Sequence, residues 1–430
     1  MRLAAEVVAR PTIRESGGVR RLESDLTIGT TTHTVWIDLP STIPPAPSPG
    51  DAFLIAALLP AMRTADRLVI DAPVSPALLH NVERAQVFIN QWFPEFRPVA
   101  IDVMSVDEPG PPEDRAAAMF SGGLDSFYTL HEERDDLSHL VFVHGFDIAI
   151  DNQALHASVI GRMREVSRHV GIPLVETATN LRSMSDHYAH WADHYHGWAS
   201  AVVAHALNGL IGRCYMAAGR THANHAPMGI QPILPPLWDS ERVRFIQHGL
   251  AATREDKARV VGEWPVAMAH LRVCWRNPGN AYNCGRCTKC MRTKVNLLVA
   301  GALDRCQTLD ADIDLETVAT LDFDGPTEYE LRKETYRVAG EAGLDANLLA
   351  ALYAPIRAFE MAAAQRRASE DLHLLAAHGL TDAAVDENRD LVYRSLSAHQ
   401  GSWFFRRVAA DTPRRLWSAL VRRLRGLVSR

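Results

Sequence analysis

The sequence predicts an α/β protein built on a doubly wound parallel sheet, and three observations predict it. Between residues 116 and 218, short apolar runs alternate with helical patterns, as a parallel sheet covered on both faces requires. The first run, Ala117–Phe120, passes directly into a glycine turn, Ser121-Gly122-Gly123-Leu124-Asp125-Ser126, and then into a helix. Junctions of this kind, at the carboxyl ends of strands, are where such sheets gather ligands. The composition agrees: 430 residues, 47% hydrophobic and 22% charged, suffice for two or three domains of about 150 residues.

Residues 1–106 read as a small α+β domain of unassigned role. Thr32–Leu39, Arg67–Ile70 and Val99–Val106 are strand-like, and apolar residues from Leu78 to Trp92 recur at helical spacing within Pro76–Trp92. The proline- and acid-rich stretch 107–115 breaks any regular element and is expected to be a linker. Residues 116–300 are expected to form the central domain. After the glycine turn comes a second buried strand, His139–His144. The helix behind it places Leu155, Val159, Ile160, Met163, Val166 and Val170 on one face and stops at Gly171. Strand Leu174–Ala178, a long helix between about Ser185 and Ile211 and strand Cys214–Ala218 complete the series. Residues 301–430 turn helical and alanine-rich, most plainly at Ala346–Ala377, and end in a basic amphipathic helix over 413–430.

Charge is unevenly spread. Residues 401–430 hold eight arginines against Asp411 alone, so a net charge of −6 leaves −13 on the first 400 residues. An acidic body argues against broad nucleic-acid wrapping and leaves 413–430 as the segment for a protein, nucleic-acid or membrane-surface contact. The longest apolar run, Ala52–Met62, falls short of the ~18 residues a membrane span needs and contains Pro60. The stretch between Arg2 and Arg10 is too short for a signal-peptide core. A cytoplasmic protein is expected, and the sequence is compatible with a homodimer.

The glycine turn is the sharpest chemical signal. Gly122 and Gly123 let the backbone approach an anion, N–H groups at the helix start point toward it, and Ser121 and Ser126 add hydroxyl donors. Asp125 would repel a phosphate unless Mg²⁺ lay between them, so the turn implies a magnesium nucleotide. The plainer alternative is a Ser/Gly turn whose acid caps the helix. Neither G-x-x-x-x-G-K-[ST] nor G-x-G-x-x-G occurs. Two further strand ends, His144-Gly145-Phe146-Asp147 and Gly219-Arg220-Thr221-His222, would lie beside the turn in a doubly wound sheet. There Gly145 and Gly219 would allow close nucleotide approach and Arg220 would neutralise phosphate charge. For His144, Asp147 and His222, capping or a structural hydrogen bond serves equally well.

Four of the six cysteines, Cys274, Cys284, Cys287 and Cys290, form C-x9-C-x2-C-x2-C. This spacing closes a tetrahedral four-thiolate site for Zn²⁺, a saturated and therefore structural centre; an iron–sulfur cluster uses the same ligands. Cys214 and Cys306 read as buried thiols. His187, His190 and His194, near Trp191 and Trp198, would share one helical face, but no carboxylate set completes a metal site there, and a solvated helix turn is expected.

The sextet Ser121–Ser126 after a buried strand matches the SGGxDS signature of the PP-loop ATP pyrophosphatases. Together with the cysteine cluster it resembles the 7-cyano-7-deazaguanine synthases, the zinc-containing branch of those enzymes. The likeness extends to Cys274-Trp275, to Cys284-Gly285-Arg286-Cys287-Thr288-Lys289-Cys290 with Arg292 beyond, and to the Pro236-Leu237-Trp238-Asp239 segment. It covers roughly residues 117–300, while 1–106 and 301–430 have no counterpart. The resemblance implies an ATP-dependent carbon–nitrogen ligase. Its loop holds MgATP, and a substrate carboxylate is adenylated with release of pyrophosphate before ammonia or an amine attacks. In the resembled family the acid is 7-carboxy-7-deazaguanine; here a different small-molecule or peptide acid is open. Asp125, Ser126 and Arg220 are the expected catalytic residues. Two alternatives remain open: an RNA base-modifying, thiolation-type enzyme, and a non-catalytic nucleotide-binding scaffold.

Overall fold

The structure, a computed structural model, describes residues 6–106, 110–224, 227–321 and 326–377. Its strands are β1 (Val7–Ala9), β2 (Thr12–Ser16), β3 (Val19–Ile28), β4 (Thr31–Pro40), β5 (Arg67–Val74), β6 (Ala100–Val106), β7 (Ala116–Met119), β8 (Leu137–His144), β9 (Leu174–Thr179), β10 (Arg213–Ala217) and β11 (Arg244–His248). They join in one mixed, mostly parallel sheet of order β11-β10-β7-β8-β9-β4-β3-β1-β5-β6, with β2 paired to β3. Its helices are α1 (Pro49–Thr64), α2 (Pro76–Trp92), α3 (Leu124–Glu132), α4 (Gln153–Val170), α5 (Leu181–Ser185), α6 (His196–Ala206), α7 (Arg254–Gly262), α8 (Pro265–His270), α9 (Thr288–Val299), α10 (Leu315–Thr320), α11 (Pro326–Glu341) and α12 (Ala346–Ala377).

The expected run of parallel strands is present. β9, β8, β7, β10 and β11 lie side by side in parallel, so chain order reverses between β7 and β10. That reversal opens a crevice outside the strand ends. Successive alanines of β7 face opposite cores: Ala117 packs with α1 and α6, while Ala116 and Ala118 pack with α3 and α4. Helix layers on both faces follow from a strand that is apolar at every position. Asn152 caps α4 by accepting from the Leu155 N–H at 3.2 Å, and Gly171, at φ +74°, ends it.

Three expectations change. The boundary expected at 107–115 falls between two strands of a single sheet, because β4 pairs antiparallel with β9 through Ile37–Thr179 and Asp38–Ala178. The helix expected from about Ser185 to Ile211 is reduced to a π turn at Trp191–Tyr195 and α6, since α5 already ends at Ser185. His190, in extended backbone, precedes that turn, so the three histidines do not share a helical face. The apolar run Ala52–Met62 lies within α1, buried throughout in the core. Among the described residues no helix is long and apolar enough to cross a membrane.

The chain divides into two compact units, residues 1–321 with 334–349, and 322–333 with 350–430. In the second, Tyr329 stacks on Phe359 at 4.8 Å and donates to Glu360 at 2.6 Å. Helix α12 matches the span expected from the sequence. The basic segment 413–430 lies outside the described residues.

Candidate functional site: a buried cationic cradle and a four-cysteine centre

At the carboxyl end of β7 the glycine turn faces the crevice. Gly122 takes φ +73°, and a side chain there would press on Met163 at 2.8 Å. Gly123 precedes α3, so the first-turn N–H groups have no intrahelical acceptor and present positive charge. Leu124 is wholly buried and can offer a ligand only its backbone. The Ser126 hydroxyl donates to the Gly123 carbonyl at 3.0 Å, stiffening the turn, whereas Ser121 is exposed at its tip.

Asp125 is the centre of the site's electrostatics. It ion-pairs with Arg254, the first residue of α7, and lies 3.5 Å from Lys257 Nζ one turn later. Burial opposes its ionisation, but Arg254, Lys257 and Arg292 together outweigh burial and hold its carboxyl at about 2. Protein cations thus compensate the charge that the sequence reading assigned to Mg²⁺. The cations exceed what this acid can neutralise. Burial, then the Arg254 guanidinium, pulls Arg292 down to about 9 despite Glu334 at 3.5 Å and Asp125, and Arg220 adds repulsion. Lys257 is lowered by burial, with Arg254 and Arg292 acting against Asp125. Arg254 Nε and Arg292 Nη2 are buried without hydrogen-bond acceptors. Mutually repelling cations with two buried N–H groups lacking acceptors, beside a helix N-terminus, are an arrangement that an anion would complete.

The other expected contacts divide. Arg220 belongs to the cradle through its effect on Arg292, and the Ala218 carbonyl accepts from Lys257 Nζ at 2.5 Å. Gly219 has open space where a side chain would project. Gly145 is required by its packing on β9: at φ +105°, a Cβ would lie 1.9 Å from the Thr179 carbonyl oxygen. His144 is buried, shares a hydrogen bond with the Ala149 carbonyl and stacks face to face on His156 at 3.9 Å. Asp147 is half-buried at the same strand end, and His222 opens a short turn after Thr221. Arg254 and Lys257 carry no signal in the sequence, because Arg254-Glu255-Asp256-Lys257 reads like any solvated first helical turn, and Arg292, next to the cysteine motif, has no role legible there.

The four cysteines converge. All four Sγ atoms lie within 4.8 Å of one another, with Cys274–Cys287 and Cys284–Cys290 at 3.9 Å. A tetrahedron with Zn–S of ~2.3 Å has edges of ~3.8 Å, so the donor set fits Zn²⁺. Backbone N–H groups of Asn277 and Cys287 point at Cys274 Sγ and Cys284 Sγ at 3.3 and 3.2 Å, as thiolates favour. Gly285, at φ +69°, turns the chain between ligands, and Asn283 Oδ1 holds the Val273 and Cys274 N–H groups. Among the described residues this is the one cluster of three or more side chains suited to a metal. His194 instead packs on Phe93 at 4.4 Å, and His33 shares a hydrogen bond with Tyr188 at 2.9 Å.

No family model matches the chain, and no curated protein or solved structure shows significant similarity to it. The site sets a helix N-terminus and a desolvated cation cluster next to a four-cysteine centre able to hold a metal.

Proposed function

We propose that this protein is an ATP-dependent carbon–nitrogen ligase that adenylates a carboxylic acid and passes the acyl group to ammonia or an amine. The observation that carries the reading is the excess of buried cations, Arg254, Lys257 and Arg292, around the Ser121–Ser126 turn at the crevice between β7 and β10.

In this reading the α3 N-terminus and the three cations hold the β- and γ-phosphates of MgATP, and Arg220 lies toward the α-phosphate. The substrate carboxylate oxygen attacks the α-phosphorus. The bond to the β-phosphate oxygen breaks, and pyrophosphate leaves onto groups that already compensate its charge. Ammonia or an amine then attacks the acyl carbon, loses a proton and expels AMP. Asp125 keeps Arg254 and Lys257 in place between turnovers. Cys274, Cys284, Cys287 and Cys290 would hold Zn²⁺, which bound by four thiolates supplies rigidity and no reactive coordination position. The acid remains a proposal by class: a heteroaromatic acid such as the resembled family uses, or a peptide carboxylate.

The test is exchange of labelled pyrophosphate into ATP across a panel of heteroaromatic and peptide acids. Acid-dependent exchange is expected, with loss in Asp125→Ala and Lys257→Ala. Undiminished exchange in both variants, or no binding of MgATP to the folded protein, would overturn the reading.

A further inference from the structure

We propose that the four-cysteine centre and the phosphate cradle are one linked unit, in which Thr293 is the positioning residue that couples metal occupancy to Arg254. The inference rests on the reading of Ser121–Ser126 as a phosphate loop. Two short routes of chain and hydrogen bonds join the sites. Along the first, Cys287 and Cys290 flank the start of α9, and Lys289 between them presents its carbonyl to the Thr293 hydroxyl at 2.8 Å. The same hydroxyl accepts from Arg254 Nη2 at 3.2 Å, and Arg254 pairs with Asp125 of the loop. Thr293 is 0% exposed, so water does not replace either bond. Along the second, one residue separates Cys274 from Arg272, whose N–H donates to the Gly122 carbonyl at 2.7 Å.

A metal that fixes the thiolates fixes the first turn of α9 and the 272–274 segment, and with them the Arg254 side chain and the Gly122 peptide. An anion in the cradle orders the same atoms from the other side. Binding linkage is reciprocal, so each ligand raises affinity for the other by the same factor, commonly ~5- to 150-fold. Arg292 on the same helix adds its charge to the cradle, which makes α9 shared structure between both sites.

The experiment uses the zinc-loaded full chain and measures the equilibrium partition of zinc between the protein and a chromogenic chelator of matched affinity, with and without saturating MgATP, alongside calorimetric binding of MgATP. MgATP is expected to raise zinc affinity about tenfold in the wild type and in Thr293→Ser, which keeps the hydroxyl. In Thr293→Val the gain is expected to vanish and MgATP to bind more weakly. MgATP binding with unchanged zinc affinity in the wild type would overturn the linkage while leaving the phosphate-loop reading intact. Absence of MgATP binding would overturn both. A gain retained in Thr293→Val would overturn the role of Thr293. The wild-type arm decides the linkage even if Thr293→Val fails to fold.

Discussion

Asp125 and Arg254 lie 129 residues apart in sequence and meet as a part-buried ion pair at the start of α3, with the Asp125 side chain 20% and Arg254 4% exposed. Removing one partner of such a pair strands the other charge, at a typical cost of ~3–5 kcal/mol. Asp125→Ala therefore leaves Arg254, Lys257 and Arg292 repelling one another, and urea unfolding is expected to show a loss of about 3 kcal/mol. An anion replaces the missing charge, so magnesium pyrophosphate should raise the melting temperature of the variant more than that of the wild type. Equal stability of variant and wild type would remove Asp125 from the electrostatic centre of the cradle.

Gly145 and Gly219 occupy comparable strand ends but have opposite constraints. Gly145→Ala forces a methyl group into the Thr179 carbonyl from a positive φ, and a loss of about 3 kcal/mol or more is expected. Gly219→Ala meets nothing within 4 Å, so its stability should stay within about 0.5 kcal/mol of wild type. Its MgATP affinity should fall if nucleotide approaches that backbone. Thermal melts with and without MgATP separate the two effects.

Tyr195 repairs a defect that Pro60 creates. Pro60 lies inside α1 and cannot donate to the Ala56 carbonyl one turn earlier; the Tyr195 hydroxyl donates to that carbonyl at 2.7 Å from the π turn. Tyr195 is 0% exposed, so Tyr195→Phe leaves a buried acceptor unsatisfied and should cost ~1–3 kcal/mol in denaturant unfolding. Wild-type stability in that variant would show that the carbonyl finds another donor.

The same contact shows why parts of the molecule were legible in sequence and others were not. Strands β7 to β10 and helix α4 carry strong local patterns, apolar runs or a single helical stripe, and the structure places them close to the expected spans. Helix α1 is apolar on every side and contains a proline, so periodicity could not reveal it; a tyrosine far along the chain makes the proline tolerable. The antiparallel join of β4 to β9 is extended by Asn180, whose amide bonds Trp36 N–H and the Thr34 carbonyl at 2.9 and 2.7 Å, and no local signal announces such a pairing. In the site, cysteine spacing and the glycine turn are short motifs, readable because their chemistry is contained in a few residues. The cations are not: Arg254, Lys257 and Arg292 acquire meaning only when α7 and α9 fold against α3.

His205 supplies a prediction of pH dependence with a definite sign. It is 0% exposed at the end of α6, shares a hydrogen bond with the Trp238 carbonyl at 2.9 Å, and has its Nδ1 4.0 Å from Asp51. Asp51 is already engaged by the Ser75 N–H and hydroxyl at 2.8 and 2.6 Å. Burial pushes the His205 imidazole down to about 4, against the Trp238 bond. In the unfolded chain a histidine takes up its proton near pH 6.5, so below that pH the unfolded state binds more protons than the native state. The contribution of neutral His205 is therefore complete above about pH 6.5 and is lost as pH falls toward 4, by about 3 kcal/mol in all. His205→Gln keeps a donor for Trp238 and cannot titrate, so the stability difference between wild type and variant, measured by urea unfolding at a series of pH values, should shift in favour of the variant across that window. A difference that stays constant from pH 7 to pH 4 would mean that His205 is not held neutral in the fold.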